Sequence, residues 1–302
     1  MTNSIIDLHL HTFFSDGCAS PAELLNAAVN LGLKVVSITD HDNLNAYPEA
    51  RHIAARLGLD LIPGIELTSH WILPDGSGLA PLNGRDVDVL GYYVDAQNED
   101  LNIFTQSALL DLRERMIDAC AFLTQAGYPI SIFDVQDENP RYTGARQLIE
   151  ALGHKGFGAS WNECLALFDS VWPKVRLSCS SIEEVIKIIH QAGGVAVLAH
   201  PIAVECTAGW LQSGHIELLT RFGLDGLEVN HPRLDPTARA HYLGLVREFD
   251  LIISGGSDEH GGNGLFPRLG SEIIRYEILN SLQARTQRYI DKSSHKSEAL
   301  SI

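Results

Sequence analysis

In the stretch Ile5-Ile6-Asp7-Leu8-His9-Leu10-His11, apolar residues alternate with polar ones. A period of two is that of a β-strand, whose successive side chains point to opposite faces. Asp7, His9 and His11 therefore share one face, and Ile6, Leu8 and Leu10 the other. Two imidazoles side by side at a strand end form half of a site for a divalent cation.

The same reading extends outward. A turn-rich loop, residues 13–19, follows the first strand. Ser20-Pro21-Ala22-Glu23 combines an N-cap, a proline at the first helical position and a capping-box glutamate, so a helix starts there. Leu24, Leu25, Ala28 and Leu31 give its apolar stripe, and Gly32 stops it. Residues 35–39 form the next strand and end in Asp40-His41-Asp42. A helix from Tyr47 to Leu57 precedes a third strand, residues 60–65, which leads into Glu66. This is a β-α-β-α-β run with a polar cluster at the C-terminal end of each strand. Parallel α/β folds build their active sites at that edge.

Residues 70–85 read as a loop and 87–94 as a strand. From residue 99 to 126 the period turns helical, carried by Leu109, Leu112, Met116, Cys120 and Leu123. Arg113 and Arg115 lie within it and read as solvated charge, with reach toward a phosphate as the alternative. Residues 127–180 break the rhythm into short helices and loops, one starting at Ser160-Trp161-Asn162-Glu163. Residues 97–178 are thus read as a mostly helical insertion. Residues 1–96 and 179–292 are read as the two parts of one α/β domain, and 293–302 as a flexible tail. The rhythm resumes with a helix to Gln191. The apolar run Val195-Ala196-Val197-Leu198-Ala199 is a strand covered on both faces, ending in His200-Pro201. Residues 226–230 end in His231-Pro232, and residues 251–255 lead to Ser257-Asp258-Glu259-His260.

The 302 residues suffice for a sizeable core, and 45% hydrophobic and 20% charged residues are ordinary for a globular chain. A formal net charge of −16 weighs against a binder of long nucleic acid, whose footprint is basic. A small anionic substrate remains compatible, because bound cations reverse the local sign. Cys18, Cys120, Cys164, Cys179 and Cys206 are scattered without C-x-x-C spacing, which suits a reducing compartment. No apolar run is long enough to span a membrane, and the start lacks a signal-peptide pattern. A cytoplasmic protein without membrane partners is the expectation. No motif reports on the oligomeric state.

Collected, the strand ends carry His9, His11, Asp16, His41, Glu66, Asp88, His200, His231, Asp258 and His260. Imidazoles and carboxylates without thiolates suit Zn, Mn or Fe. His9-x-His11, Ser15-Asp16-Gly17, Thr39-Asp40-His41-Asp42, Pro63-Gly64-Ile65-Glu66, Leu198-Ala199-His200-Pro201, Glu228-Val229-Asn230-His231 and Gly256-Ser257-Asp258-x-His260 resemble the motifs of the PHP (polymerase and histidinol phosphatase) superfamily. The nearer likeness is to its stand-alone metal-dependent phosphoesterases. The resemblance implies a distorted (β/α)7 barrel interrupted by a helical insertion, with two or three divalent cations at the C-terminal strand ends. By motif, His9, His11, Glu66 and Asp258 would hold one. Glu66, His200 and the residue at position 88 would hold a second, and Asp16, His41 and His260 a third. The implied activity is hydrolysis of a phosphate ester of a small metabolite, a nucleotide or nucleoside bisphosphate, by water activated between the cations. Alternatives within the resemblance are a 5′-3′ exonuclease on short oligonucleotides, a histidinol-phosphate phosphatase and a non-catalytic metal-binding scaffold.

Two departures from the family pattern stand out. Asp88 occupies a position where the family has His. Either it ligates, leaving about two net positive charges on a three-cation centre, or it turns away. Gly144-Ala145-Arg146-Gln147 stands where the family has a Gly-Arg-Pro-His-like stretch, making Arg146, with His231, a candidate for holding substrate. The general acid is His231, Asp42 or a metal-bound water. Asp40 either orients a ligand histidine or caps its strand.

Overall fold

The computed structural model describes residues 5–71, 86–201, 210–262 and 268–299. In chain order the elements are β1 (Ile5–Leu10), α1 (Pro21–Asn30), β2 (Leu33–Ile38), α2 (Tyr47–Leu57), β3 (Asp60–His70) and β4 (Asp86–Tyr92). Four helices follow: α3 (Glu99–Gln125), α4 (Ile132–Glu138), α5 (Ala145–His154) and α6 (Trp161–Val171). Then come α7 (Ile182–Gln191), β5 (Val195–Leu198), α8 (Ser213–Phe222), β6 (Gly226–Asn230), α9 (Pro236–Glu248), β7 (Ile252–Gly255) and α10 (Glu277–Ala299). The chain is thus a mixed α/β fold. No helix among the described residues is long and apolar enough to cross a membrane.

Local chemistry sets the helix starts. At α1 the Glu23 N–H donates to Ser20 Oγ (3.2 Å) while the Ser20 N–H donates to Glu23 Oε2 (2.8 Å). Ser181 and Glu184 repeat the arrangement at α7. Each box satisfies two backbone donors that the helix cannot.

The seven strands lie in one sheet in sequence order. β1–β2–β3 and β5–β6–β7 are parallel sets, and β4 runs antiparallel to both neighbours. β3 continues past residue 65 to His70, longer than its apolar stretch suggests, because Glu66 to His70 pair with β4. In that pairing Glu66 lies opposite Leu90 and Thr68 opposite Asp88. Glu66 and Asp88 therefore project on the same side of the sheet. Of the loop read over residues 70–85, the part from 72 to 85 lies outside the described residues.

Among the described residues no β1–β7 ladder closes the sheet. The loop after β7 bonds to the end of β1 instead. The Asp258 N–H donates to the His9 carbonyl, and the His11 N–H to the Glu259 carbonyl, each at 3.0 Å. This close approach requires glycine at position 256, where a Cβ would lie 2.3 Å from His9 Cβ and 2.4 Å from its backbone nitrogen.

Val89, Leu198, Leu227 and Val229 of the sheet pack against Ile186, Ile189, Leu219 and Tyr242 of α7, α8 and α9. Leu10, Val36 and Ile38 pack against Leu25, Ala28 and Ile53 of α1 and α2. Helices α3 to α6 surround a core of their own, with Met116, Leu123, Leu148, Leu152 and Phe168. Arg115, read from sequence as solvated, is buried. Its guanidinium donates to both Asp86 oxygens (2.8 and 2.7 Å) and to the Arg176 carbonyl, and lies over the Trp172 ring. It therefore ties α3 to β4. Helix α10 runs on through residues 293–299, part of the stretch read as a tail, where no Gly or Pro interrupts it. Cys18, Cys120, Cys164 and Cys179 are free thiols, and Cys206 lies outside the described residues.

Candidate metal centre

The end of β1 delivers His9 and His11 to the C-terminal edge of the sheet, where both are buried. His9 Nε2 lies 3.1 Å from His11 Nε2, 3.0 Å from Glu66 Oε2 and 3.3 Å from Asp258 Oδ1. His11 Nε2 lies 3.2 and 3.3 Å from the same two oxygens. Four donors about 2.0–2.1 Å from a common centre at tetrahedral angles would stand about 3.3–3.4 Å apart. Five of the six edges of that figure are thus 3.0–3.3 Å here, close to the spacing a small divalent cation imposes.

The outer nitrogens of these rings are held. His9 Nδ1 bonds Glu228 Oε1 (2.9 Å), and Glu228 Oε2 accepts the His200 N–H (2.7 Å). His11 Nδ1 lies 3.3 Å from Ser15 Oγ, which donates to Asp40 Oδ1 at 2.6 Å. His260 Nδ1 donates to the Asp258 carbonyl at 2.8 Å, which leaves Nε2 directed at Asp16 Oδ1, 3.2 Å away. A ligating histidine is ordinarily fixed in this manner, the far nitrogen donating so that the near one is free to coordinate.

Two further donor groups adjoin the first. His11, Asp16, His41 and His260 form one, and His41, Glu66 and Asp88 the other, with the donor atoms of each within 4.8 Å of one another. Asp88 does not turn away. Its Oδ2 lies 4.0 Å from His200 Nε2, and its Oδ1 is buried without a hydrogen-bond partner. His200 Nε2 is 2.9 Å from Glu66 Oε1. The grouping by distance differs from the motif-based one in two respects: His11 joins Asp16, His41 and His260, and His41 stands with Glu66 and Asp88, while His200 is bonded to Glu66 beside them. Buried atoms lacking partners also include Asp16 Oδ1, His41 Nδ1, His200 Nδ1 and His231 Nε2. Buried polar atoms normally find partners, so this concentration of unpartnered donors fits a centre that holds cations.

Electrostatics follow from the crowding. Burial opposes charge on His11, yet hydrogen bonds to Asp258 and Glu66 and the charge of Asp16 prevail and raise it to about 10. His200 is raised to about 9, burial again being outweighed, mainly by Glu66. Burial also opposes charge on Glu66, but His9 and His41 drive it well below the usual carboxylate range. Asp88 goes the other way, to about 7, through burial and then the charge of Glu66.

The remaining sequence candidates are placed as follows. His231 is fully buried; its Nδ1 accepts the Arg233 N–H (3.2 Å) and its Nε2 faces Asp258 Oδ2 at 3.5 Å. Asp42 accepts the Thr68 N–H (2.9 Å), and burial raises its carboxyl to about 7. Asp40 gives both oxygens to Thr12 and Ser15. Arg146 donates to Glu150, to the His260 carbonyl and to Cys18 Sγ, bracing the loops that carry His260 and Asp16. Asp42, His200 and Asp258 have positive φ (54°, 21° and 56°). Strained backbone of this kind concentrates at functional sites. Two residues were not singled out from sequence. Glu228 was masked by the apolar strand around it, although a carboxylate inside such a run is itself a signal. Tyr142, from the segment between α4 and α5, is buried with its ring 6.4 Å from that of His41 and nearly parallel to it, at 18°.

A PHP-domain model matches residues 7–152. The chain is 30% identical over 273 residues to the 5′-3′ exoribonuclease Rnm of Salmonella typhimurium, covering 85% of each chain. It is 27% identical over 305 residues to a 3′,5′-nucleoside bisphosphate phosphatase of Chromobacterium violaceum, covering 95% of this chain and 99% of the relative. Among solved structures, a protein of Bifidobacterium adolescentis provisionally assigned as a metal-dependent phosphoesterase superposes with a TM-score of 0.80 at 28% identity, over 93% of this chain and 96% of that one. Motifs, fold and these likenesses agree: the chain belongs to the PHP-domain family and is a phosphoesterase.

Proposed function

We propose that this chain hydrolyses a phosphate ester of a small nucleotide, or of a nucleoside bisphosphate, at a centre of three divalent cations. The observation that carries the reading is the near-tetrahedral set of His9, His11, Glu66 and Asp258, flanked by unpartnered buried donors. The second cation would take Glu66 and Asp88 with His41 or His200, and the third Asp16, His41 and His260. Nitrogen and oxygen donors without thiolate fit Mn, Fe or Zn. Bound there, such cations neutralise phosphoryl oxygens and acidify an attacking water.

The chain's own residues do the rest. Glu228, Ser15 and Asp40 hold the His9 and His11 rings in a coordinating orientation. His231 accepts a backbone N–H at Nδ1, so the neutral ring carries its proton on Nε2, which faces the centre. That N–H is placed to donate a hydrogen bond to a phosphoryl or leaving oxygen, and with Nδ1 already accepting, the ring positions substrate rather than giving up a proton. Asp42, with its carboxyl raised to about 7 by burial, is the candidate for giving the leaving oxygen its proton. Asp40 is a positioning residue, since neither oxygen is spare. Helices α3 to α6, within residues 97–178, act as an inserted unit that shapes the entrance. A cytoplasmic setting is consistent with the exposed free thiols of Cys18 and Cys179. A second reading, 5′-3′ removal of nucleotides from short oligonucleotides, is favoured by the likeness to the exoribonuclease.

The test pairs elemental analysis with phosphate release from mononucleotides, nucleoside bisphosphates and dinucleotides in the presence of Mn2+. About three metals per chain and turnover of one class are expected. His9→Ala and Asp258→Ala should abolish turnover while leaving the fold intact by circular dichroism. A loaded protein that cleaves none of these substrates would be a scaffold, and a protein that binds no metal would undo the proposal.

A further inference from the structure

A cleft of about 400 Å3 opens between α3 and the segment joining α4 to α5. Leu109, Leu110 and Arg113 form one wall, and Pro140, Arg141 and Tyr142 the other. Tyr142 also stacks beside His41, so one aromatic ring belongs both to the cleft and to the edge of the metal centre. The lining contains two arginines and no carboxylate. Among the described residues neither arginine has an ion-pair partner. Arg141 is braced with its guanidinium 4.4 Å over the Phe13 ring, a contact that leaves its N–H edges free of acid. In a chain of net charge −16, two unneutralised guanidinium groups at one entrance are a local reversal of sign. Leu109, the Tyr142 ring and Leu110, which is 66% exposed, give the cleft an apolar side, and Gln106, Gln136 and Thr143 add uncharged polar groups.

We propose that this cleft binds the part of the substrate beyond the phosphate being cleaved. The base lies against Leu109, Leu110 and Tyr142, and a second phosphoryl group meets Arg113 and Arg141. The inference rests on the phosphoesterase reading and narrows it to substrates that carry two phosphoryl groups about one nucleoside. Guanidinium groups suit that role because their planar donor fork matches a phosphoryl oxygen pair. A nucleoside bisphosphate and the first unit of a 5′-phosphorylated dinucleotide share this chemistry. Tyr142, shared by both spaces, sets the angle at which the substrate crosses from one to the other.

The test compares wild type with the double variant R113Q/R141Q. Both positions are at least partly exposed, so the fold should persist. Binding of adenosine 3′,5′-bisphosphate, of the dinucleotide pApA and of adenosine is measured by calorimetry. In parallel, phosphate release is measured with the first two and with p-nitrophenyl phosphate. The variant should bind one or both two-phosphate ligands at least tenfold more weakly, with adenosine changed less than threefold. The ligand that loses more identifies the source. Equal affinities in wild type and variant overturn the inference, whatever the turnover. Absence of turnover in wild type instead counts against the phosphoesterase reading, while the binding comparison still decides the cleft.

Discussion

Loading the centre with metal should expel protons, and the structure sets how many. His9 and His11 each direct Nε2 at Glu66 and Asp258. Despite burial, neighbouring carboxylates hold His9 well above its ordinary value, His11 at about 10 and His200 at about 9. At pH 7 all three rings therefore carry a proton when no cation competes for them, and each must shed one to coordinate. Asp88, at about 7, contributes roughly half a proton more. Saturation at pH 7 should thus release about three to four protons. The sign is fixed: lower pH favours the protonated rings, so apparent affinity weakens as pH falls. Summed over the sites, the effect approaches a factor of about 1,000 per pH unit between pH 6 and 8. Calorimetric titration of chelator-treated protein with Mn2+ in buffers of different ionisation enthalpy gives the number as a slope. A release below one proton would mean that the carboxylates do not hold these rings charged, and would refute the reasoning.

Three other outcomes are expected. Asp88→Ala should lower the metal content by one per chain, whereas Asp88→His should restore it; unchanged content in Asp88→Ala would remove this residue from the centre. Glu228→Ala frees the His9 ring, so metal affinity measured by competition with a chelator should fall about 10–100-fold, with Glu228→Gln retaining more because its side-chain oxygen can still accept from Nδ1. Gly256→Ala drives a methyl into His9, so thermal denaturation should show about 1–3 kcal/mol of destabilisation; an unaltered melting curve and metal content would mean that the β7 loop gives way freely.

What was readable from sequence is what strand ends display. His9, His11, His41 and Glu66 follow apolar strands at positions that fold geometry brings together, and the family's motifs extend the set to His200, Asp258 and His260. The direction of β4 was not readable, because alternation in residues 87–94 is the same for parallel and antiparallel pairing. Arg113 and Arg115 share one helix and one residue type, but only tertiary contacts separate the buried tie to Asp86 from the open cleft. Tyr142 sits in a short connection with no periodicity, so its approach to His41 becomes visible only once α3 to α6 are packed. Arg146, a candidate for holding substrate, also joins α5 to the His260 carbonyl and Cys18, partners 114 and 128 positions away that no local pattern displays.

The seam between β1 and the loop after β7 has a bearing on how the protein is made. Its two bonds join residues about 250 positions apart, and the His9–His11 pair gains Asp258 only when that seam forms. During synthesis the β1 histidines and Glu66 therefore emerge long before Asp258, the fourth member of the set, leaves the ribosome. Contacts of such long range form late because they bear the full entropy of loop closure. Completion of the proposed four-donor set is accordingly an event of the finished chain, and a cation held there would fasten the first strand to the last.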